Sequence, residues 1–218
     1  MSHVCVGLDN QYAKFPNFIK VGRSISATIL AFNQEVIRQT ADLAIFYKMN
    51  VSFYAGYGAE GLEGLRLTNE HLETHHPEIQ ILAGCKRSEM GESVKMVAGE
   101  LFDWLQFDCV TVTPWFGFDT LKDYFADKTK GVLVCIHDSN PTATEIQDLI
   151  LADGQRVYEE VARKVAVEWN FNGNLIAAYP QQLRHIREII GDEMPLLVAG
   201  VGVQGGKVAD FSEPMANG

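Results

Sequence analysis

The feature that most constrains the fold of this chain is an alternation between short apolar runs and longer stretches of helical periodicity. Each apolar run is rich in valine, isoleucine or leucine and is bounded by polar residues or glycine, which is typical of a buried β-strand. The runs recur seven times along the chain. Strands are predicted at His3–Leu8, Leu43–Tyr47, Ile79–Ala83, Cys109–Val112, Val132–Ile136, Leu175–Ala178 and Leu196–Val198.

Segments with helical spacing separate these strands. Ile25, Ile29, Phe32 and Val36, for example, recur at intervals of three or four residues. Helices are predicted at Ile25–Thr40, Glu60–His75, Glu92–Leu105, Phe118–Ala126, Arg156–Trp169 and Gln181–Ile190. Because the strands are apolar throughout rather than alternating, we expect a parallel sheet covered by helices on its faces.

An eight-stranded parallel α/β barrel of the TIM type is the closed arrangement nearest to this pattern. A doubly wound open sheet is the alternative. The pattern is one strand short of a closed barrel, because only residues 207–218 follow the glycine-rich segment 200–206. An unclosed barrel would expose two strand edges, which proteins normally avoid. We therefore expect either that the natural chain is longer or that another segment covers the gap.

Composition limits the classes of function. With 218 residues, 47% of them hydrophobic, the chain can bury the core of one domain spanning residues 1–218. The formal net charge of −10 argues against nucleic-acid binding, although backbone amides can still hold a small anion such as phosphate. We expect a soluble, cytoplasmic protein with no membrane partner, because no apolar run approaches the roughly 20 residues of a membrane span. The four cysteines lack Cys-x-x-Cys spacing and are predicted to be reduced, buried thiols.

Two lysines occur where predicted strands end. Lys48 follows the second strand, and Lys86 follows the third strand, beyond an abrupt change of polarity at Gly84. Glu89 lies three residues after Lys86. In barrels of alternating strands and helices the carboxyl ends of the strands carry the chemistry, so these charged residues are candidates for a catalytic site. A solvated turn that merely exposes them is the alternative.

Several strand ends match one family in sequence order. The matching segments are Val4–Asp9, Tyr47–Asn50 with Phe53 and Tyr54, Lys86 and Arg87 with Gly91, Val110–Pro114 with Gly117, Ser139–Pro141, and Gly200–Gly206. Together they resemble orotidine 5′-phosphate decarboxylase, and segment 169–174 is similar to the branch of longer bacterial and fused forms. Because the motifs keep their order over residues 4–206, the resemblance spans most of the chain and implies a βα barrel.

The resemblance implies decarboxylation of orotidine 5′-monophosphate to uridine 5′-monophosphate, without a metal or organic cofactor, in a homodimer with shared active sites. In this family a row of alternating lysines and aspartates stabilises a carbanion at pyrimidine C6. Lys48 resembles the first lysine and Lys86 the second, which protonates C6. Glu89 stands where the partner subunit donates an aspartate. Gly84 stands where the other aspartate belongs, so the row lacks one of its two anions and we expect reduced activity.

The resemblance also assigns residues that hold the substrate. Asp9 resembles the residue that accepts hydrogen bonds from ribose hydroxyls, Ser93 replaces a ribose-holding threonine, and Ser139 resembles the serine that reads the pyrimidine edge. Segment 204–206 resembles the loop that grips the phosphate, since glycines let backbone amides approach an anion. The substrate-binding set implied in this way is Asp9, Asn50, Ser93, Ser139, Asn140, Gln204, Gly205 and Gly206.

The sequence departs from the family pattern near its end. Ala199 replaces a proline, and no arginine follows Gly206 to bind phosphate from an eighth strand. Arg23 lies in a Val-Gly-Arg-Ser-Ile segment of the kind that usually surrounds that arginine, and is a candidate to reach the phosphate from beside strand one. A loop leading into the first helix is the simpler interpretation.

Two other functions stay open. One is a catalytically impaired homologue that binds a nucleotide without turning it over. The other is a related phosphosugar lyase, but such relatives need a magnesium-binding acidic pair that includes the position of Gly84. His75 and His76 could bind a metal, although an exposed helix end is the simpler interpretation. His137, at a strand end, is either a proton carrier or a hydrogen-bonded residue beside the substrate loop.

Overall fold

The computed structural model describes residues 3–168, 175–178 and 182–198. The chain forms two compact units. The first contains Met1–Cys85 and Lys95–Val110, and the second contains Lys86–Val94 and Thr111–Gly218. The predicted phosphate loop, residues 204–206, and the predicted departure at Ala199 lie outside the described residues.

The described strands form one seven-stranded sheet in which they follow each other in chain order. Pairing is parallel between the first three strands and between the last three strands, so the predicted parallel α/β architecture is confirmed. No eighth strand occurs within the described ranges. The strands are β1 Val4–Gly7, β2 Ala44–Met49, β3 Gln80–Arg87, β4 Cys109–Val112, β5 Gly131–Cys135, β6 Leu175–Ala178 and β7 Leu196–Val198.

Helices of very different length connect these strands. Across the described parts of the chain, none is both long enough and apolar enough to cross a membrane. The helices are α1 Asn17–Lys20, α2 Ile25–Thr40, α3 Val51–Ala55, α4 Gly58–His75, α5 Glu92–Ala98, α6 Thr144–Gln147, α7 Val157–Arg163 and α8 Leu183–Ile190.

In the first unit, α2 and α4 pack against each other at close range. A Cβ atom at Gly64 would lie 2.9 Å from Cβ of Ile29, a separation that real side chains do not tolerate, so glycine sets the approach of the two helices. Ile29, Ile37, Leu65 and Leu72 are fully buried at this contact. Removing such apolar surface from water is the main force that holds a helix pair together.

In the second unit, β5 and the helices α7 and α8 all contribute buried residues. Residues 132–136 are buried without interruption, which is the pattern of a parallel strand covered on both faces. Tyr158 and Ala162 of α7 and Leu183 and Ile186 of α8 are buried as well. An exposed contact joins the same helices, since His185 Nε2 lies 2.9 Å from Glu159 Oε1.

The predicted helix at Phe118–Ala126 is wrong. Only Phe118–Leu121 forms a short 3-10 helix, and turns follow it. The amide groups of Tyr124 and Phe125 donate to carbonyl oxygens three residues earlier, at 3.1 Å each, so no α-helical ladder forms. Leu121, Tyr124 and Phe125 are nevertheless buried, because successive tight turns can bury residues at the same spacing as a helix does.

Other predicted bounds also need correction. The second strand extends to Met49, so Lys48 lies inside it rather than after it. The predicted helix at Arg156–Trp169 is α-helical over Val157–Arg163 and continues as a π-helix over Lys164–Glu168.

The third strand extends to Arg87 rather than ending at Ala83, so Lys86 lies inside the strand and not in a loop. The Lys86 amide donates to Oγ1 of Thr111 on β4, so the strand continues through polar residues. The predicted helix at Glu92–Leu105 is α-helical only to Ala98 and continues as a π-helix over Gly99–Trp104.

Candidate active site

The first predicted lysine is paired with the predicted ribose-binding carboxylate. Lys48 is the penultimate residue of β2, and its Nζ lies 3.3 Å from Oδ2 of Asp9 and 3.4 Å from Oδ1. The backbone amide of Asn50 donates to the same Oδ1 at 3.0 Å. The two side chains are 28% and 39% exposed, so water screens the pair and its net contribution to stability is small. Its consequence is geometric, because it fixes where the ammonium group points.

Asn50 begins the short helix α3. Its side-chain Oδ1 accepts a hydrogen bond from the amide of Ser52 at 3.2 Å, which is the usual geometry of a helix N-cap. The side chain that was predicted to bind substrate is therefore engaged in capping, while its backbone amide binds Asp9. Asn50 thus lies beside the Asp9–Lys48 pair, and its hydrogen bonds define the turn from β2 into α3.

Gly84 lies directly beside Lys48. A Cβ atom at position 84 would lie 3.5 Å from Cγ of Lys48, 3.4 Å from the carbonyl oxygen of Met49 and 3.5 Å from Cα of Asn50. These separations are ordinary van der Waals contacts, so the backbone leaves room for a side chain. A carboxylate on that side chain would begin next to the aliphatic part of Lys48.

Cys5 lies in the same neighbourhood, on β1. Burial raises the pKa of its thiol to about 11, with a lowering effect from the Lys48 ammonium group and a raising effect from the Asp9 carboxylate. The thiol therefore remains neutral at ordinary pH and does not compete with Asp9 as an anion. None of the four cysteines forms a disulfide, as predicted, but only Cys109 and Cys135 are buried, while Cys5 and Cys85 are half-buried.

The second predicted lysine has an unusual backbone. Lys86 has φ of 50°, in the left-handed region, and among the described residues only Gln106 is a further non-glycine residue of this kind. The Lys86 amide donates to Oγ1 of the buried Thr111 at 2.9 Å, and the amide of Thr113 donates to the carbonyl oxygen of Arg87 at 3.3 Å. The left-handed region is costly for a lysine, and such strain persists where surrounding bonds enforce it, often at functional sites. Sequence reasoning missed both Thr111 and this conformation, because neither leaves a pattern in the sequence.

Glu89 and Ser93 follow Lys86 in the second unit. Glu89 is half-buried in the segment between β3 and α5, and Ser93 is exposed in the first turn of α5. Between them, Met90 is 62% exposed and Gly91 has a left-handed φ of 59°. This segment therefore presents an apolar side chain and an exposed hydroxyl to its surroundings.

Ser139 and Asn140 lie in the segment that follows β5, which ends at Cys135. Ser139 is half-buried and Asn140 is exposed, with its Nδ2 3.3 Å from Oγ1 of Thr142. Asp138, just before them, exchanges two hydrogen bonds of 2.8 Å with the side chain of Gln147 on α6. The Asp138 carboxylate is thus already bonded within its own segment, and the two bonds hold the turn that carries Ser139.

His137 is buried and packed rather than presented at a surface. Its Nε2 lies 3.2 Å from Oδ1 of Asp148, and its ring meets the Tyr158 ring edge-on with centroids 5.0 Å apart. This favours the hydrogen-bonded interpretation of His137 over the proton carrier. Burial, followed by the nearby Glu159 carboxylate, raises the pKa of Tyr158 to about 12.

Two weaker candidates have other contacts. The Arg23 guanidinium donates to the carbonyl oxygen of Ile19 at 2.7 Å, which closes the turn after α1. At the end of α4, the rings of His71 and His75 lie 4.6 Å apart between centroids. Within the described ranges, no group of three or more histidine, cysteine, aspartate or glutamate side chains is arranged to hold a metal ion.

Solved structures define the class to which this fold belongs. The UMP synthase of Leishmania donovani superposes with a TM-score of 0.82 at 27% identity, over 96% of this chain and 44% of that one. The OMP decarboxylase of the same organism superposes with a TM-score of 0.76 at 25% identity, over 90% of this chain and 74% of that one. The protein is therefore in the class of α/β-barrel proteins, as predicted from the sequence.

Sequence comparison narrows the class to one family. The model of the orotidine 5′-phosphate decarboxylase / HUMPS family matches residues 2–218. The orotidine 5′-phosphate decarboxylase of Aromatoleum aromaticum is 35% identical over 212 residues, which cover 95% of this chain and 76% of the relative. That of an Azoarcus species is 36% identical over 211 residues, with the same coverage. The chain belongs to the orotidine 5′-phosphate decarboxylase / HUMPS family.

Proposed function

We propose that this protein, as one domain spanning residues 1–218, converts orotidine 5′-monophosphate to uridine 5′-monophosphate and carbon dioxide. The observation that carries the proposal is the state of its two strand-end lysines. Lys48 is oriented by Asp9 and Lys86 is held in a strained left-handed backbone, within a chain of this family. Strained and oriented charged groups at the carboxyl ends of parallel strands are typical of barrel active sites.

The chemistry assigned to these residues is electrostatic. The bond between C6 of the pyrimidine and the carboxylate carbon breaks, carbon dioxide leaves, and the electron pair stays on C6. The Lys86 ammonium stabilises that pair and then transfers a proton to C6, which completes uridine 5′-monophosphate. Charges that are already oriented before the reaction need little reorganisation during it, so neither a metal nor an organic cofactor is required.

The substrate is held by residues from several strand ends. Asp9 accepts hydrogen bonds from the ribose hydroxyls while it orients Lys48, and Ser139 binds the polar edge of the pyrimidine. Asn50 and Asn140 line the turns beside these two residues. The loop at residues 204–206 holds the phosphate through its backbone amides and the glutamine side chain.

The functional unit is a cytoplasmic homodimer. Glu89 and Ser93 reach the active site of the partner subunit. There Glu89 supplies an anion next to Lys86 of the partner subunit, and Ser93 contacts the ribose. The exposure of Ser93 and Met90 supports this assignment, because a segment that enters a neighbouring site must present its side chains outward.

A second candidate is a homologue that binds nucleotide but turns it over poorly, and Gly84 favours it. The space beside Lys48 lacks the carboxylate that the family places there, so no anion at this position destabilises the substrate carboxylate. Such a protein would retain affinity for uridine 5′-monophosphate.

Parallel kinetic and binding measurements separate the two. Turnover of orotidine 5′-monophosphate is followed by the change in pyrimidine absorbance, and affinity for uridine 5′-monophosphate by calorimetry. Under the decarboxylase proposal the wild-type protein shows turnover, and Lys86→Ala abolishes it while binding persists. Binding without turnover in the wild-type protein supports the second candidate. Absence of both contradicts both.

A further inference from the structure

Both neighbours of Asp9 in the chain are held by one buried hydroxyl group. Tyr54 donates its hydroxyl proton to the carbonyl oxygen of Leu8 at 2.6 Å. The Tyr54 hydroxyl oxygen accepts a hydrogen bond from Nδ2 of Asn10 at 2.9 Å and one from Nδ2 of Asn33 at 3.2 Å. One donor and two acceptor sites are all that a hydroxyl has, so Tyr54 is fully engaged.

The surroundings make this arrangement rigid. Tyr54 is fully buried, and Asn10 and Asn33 are 2% and 0% exposed, so water does not compete for the hydrogen bonds. Burial keeps the pKa of the Tyr54 hydroxyl well above its ordinary range; the hydrogen bond from Asn33 opposes this shift, the nearby Asp9 carboxylate adds to it, and the bond from Asn10 opposes it least. The hydroxyl is therefore protonated at neutral pH and can donate to Leu8.

The network reaches from β1 to the two long helices of the first unit. Asn33, on α2, also donates to Oγ1 of Thr68 on α4 at 2.9 Å. Thr68 in turn donates to the carbonyl oxygen of Gly64 at 2.8 Å, at the point where the two helices are closest. Tyr54 thus ties the backbone around Asp9 to the close contact between α2 and α4 at Gly64.

Helix α3 holds Asp9 from two sides. At its start, the amide of Asn50 donates to the Asp9 carboxylate, and one turn later Tyr54 holds Leu8 and Asn10. Lys48 lies two residues before Asn50, the N-cap of this helix, and bonds to the same carboxylate. The position of the carboxylate, and with it the direction of the ammonium group, depends on where α3 places the Tyr54 hydroxyl.

We propose that Tyr54 is a positioning residue that fixes Asp9 and, through Asp9, the ammonium group of Lys48. This inference rests on the proposed decarboxylase function, since it assigns to Tyr54 the geometry of that site. Tyr54 is buried among α2, α3 and α4 and acts only through the residues it holds.

The main test is Tyr54→Phe, which removes the hydroxyl and keeps the ring. We expect kcat/KM to fall about 10- to 100-fold, because misplacing an oriented group by about 1 Å costs that much. Tyr47→Phe is the matched control, since its buried hydroxyl bonds to Thr40 at 2.7 Å, away from Asp9. We expect the control to lose stability and to keep kcat/KM within about twofold of the wild-type value.

A double-mutant cycle with Asp9→Asn distinguishes positioning from general destabilisation. If Tyr54 acts through Asp9, the double variant loses little more than Asp9→Asn alone, because the group to be positioned is already absent. The proposal is overturned if the fold-losses in kcat/KM of the two single variants multiply in the double variant, or if kcat/KM of Tyr54→Phe is unchanged. If Tyr54→Phe does not fold, Asn10→Ala, which removes only one of the three bonds, is expected to lower kcat/KM in the same direction, and an unchanged value counts against the proposal.

A readout without substrate keeps this test separate from that of the proposed function. Hydrogen exchange at the amide of Asn50, which donates to Asp9, is expected to be faster in Tyr54→Phe and unchanged in Tyr47→Phe. Equal exchange in the wild-type protein and Tyr54→Phe overturns the positioning role whether or not the protein turns over orotidine 5′-monophosphate. Absence of turnover in the wild-type protein overturns only the decarboxylase function.

Discussion

At the scale of single residues, the first unit lacks a side chain at one predicted site position, and the second unit has a strained backbone at another. Gly84 leaves space beside Lys48 where the family places a carboxylate, and Lys86 adopts a conformation that favours glycine. Under the proposed function, the first feature removes an anion next to Lys48, and the second orients the lysine that protonates C6.

Gly84→Asp is expected to raise kcat. The contacts a Cβ atom would make at this position are 3.4 Å or longer, so the variant should fold, and its carboxylate would act on the substrate carboxylate next to Lys48. Because a single oriented charge in an active site is worth at least about tenfold in rate, we expect a gain of that order. Gly84→Asn has nearly the same shape without the charge and is the control. An equal change in kcat for both variants, in steady-state kinetics, would show that charge is not what position 84 lacks.

Lys86→Gly is expected to be more stable than Lys86→Ala although both are inactive. Glycine removes the cost of a left-handed φ, which outweighs its larger conformational freedom in the unfolded chain, for a net gain of roughly 0.5–1 kcal/mol. Urea denaturation measures the difference. Gln106→Gly, at a left-handed position after the helix that ends at Trp104, should show a similar gain without loss of activity. If alanine and glycine at position 86 give equal stability, the backbone strain is not significant.

At the scale of helices and strands, a residue of one helix can satisfy the free backbone groups at the end of another. The N-terminus of α2 is capped by its own Ser24 and also by Glu60 of α4. Glu60 Oε2 accepts bonds from the Ser26 amide at 3.1 Å and from the Ser26 hydroxyl at 2.8 Å. A carboxylate at a helix N-terminus satisfies free amides and interacts favourably with the helix dipole.

Glu60→Gln should therefore destabilise the protein in a pH-dependent way. Hydrogen bonds from the Ser26 amide and hydroxyl hold the pKa of Glu60 below its ordinary value of 4.5 in the folded state. A carboxylate whose pKa is lower in the folded than in the unfolded state stabilises the fold at pH values above its ordinary pKa. This stabilisation is lost as the pH falls through the pKa of the folded state. The difference in unfolding free energy between wild type and variant is expected to be largest at neutral pH and to shrink below pH 4.5. Glu73→Gln, exposed on the same helix, is the control, and a difference independent of pH would exclude this role for Glu60.

At the scale of the whole molecule, the sequence predicted the elements whose bounds are set by burial. The helix at Ile25–Thr40 and the strand at Cys109–Val112 occur at their predicted positions, since apolar spacing reports directly on what faces the core. The extension of β3 through Lys86 was not predictable, because backbone bonding continues it through polar residues. The role of Tyr54 was equally hidden, since Leu8, Asn10 and Asn33 converge on it only in the folded chain.

The candidate site residues also divide into those whose contacts the sequence predicted and those whose contacts it did not. Lys48 and Asp9 could be predicted and are found together, because Asp9 follows β1 and Lys48 lies near the end of the neighbouring parallel strand β2. Asn50 was predicted as a substrate residue, and its side chain caps α3. A family resemblance identifies which residue corresponds to a substrate-binding position of the family. The hydrogen bonds of that side chain, however, depend on neighbours in the folded chain.

The shared active site of the proposed homodimer predicts complementation between two inactive variants. Lys86→Ala and Glu89→Gln are each expected to be inactive as pure proteins, because every site then lacks one group. When equal amounts are refolded together, half of the dimers contain one chain of each kind, and one of their two sites has both groups intact. Recovery of about a quarter of wild-type activity is therefore expected for a symmetric dimer. Lys86→Ala mixed with Lys48→Ala is the control and should recover nothing, since both lysines come from the same chain. If the first mixture also stays inactive, Glu89 serves the active site of its own chain or none.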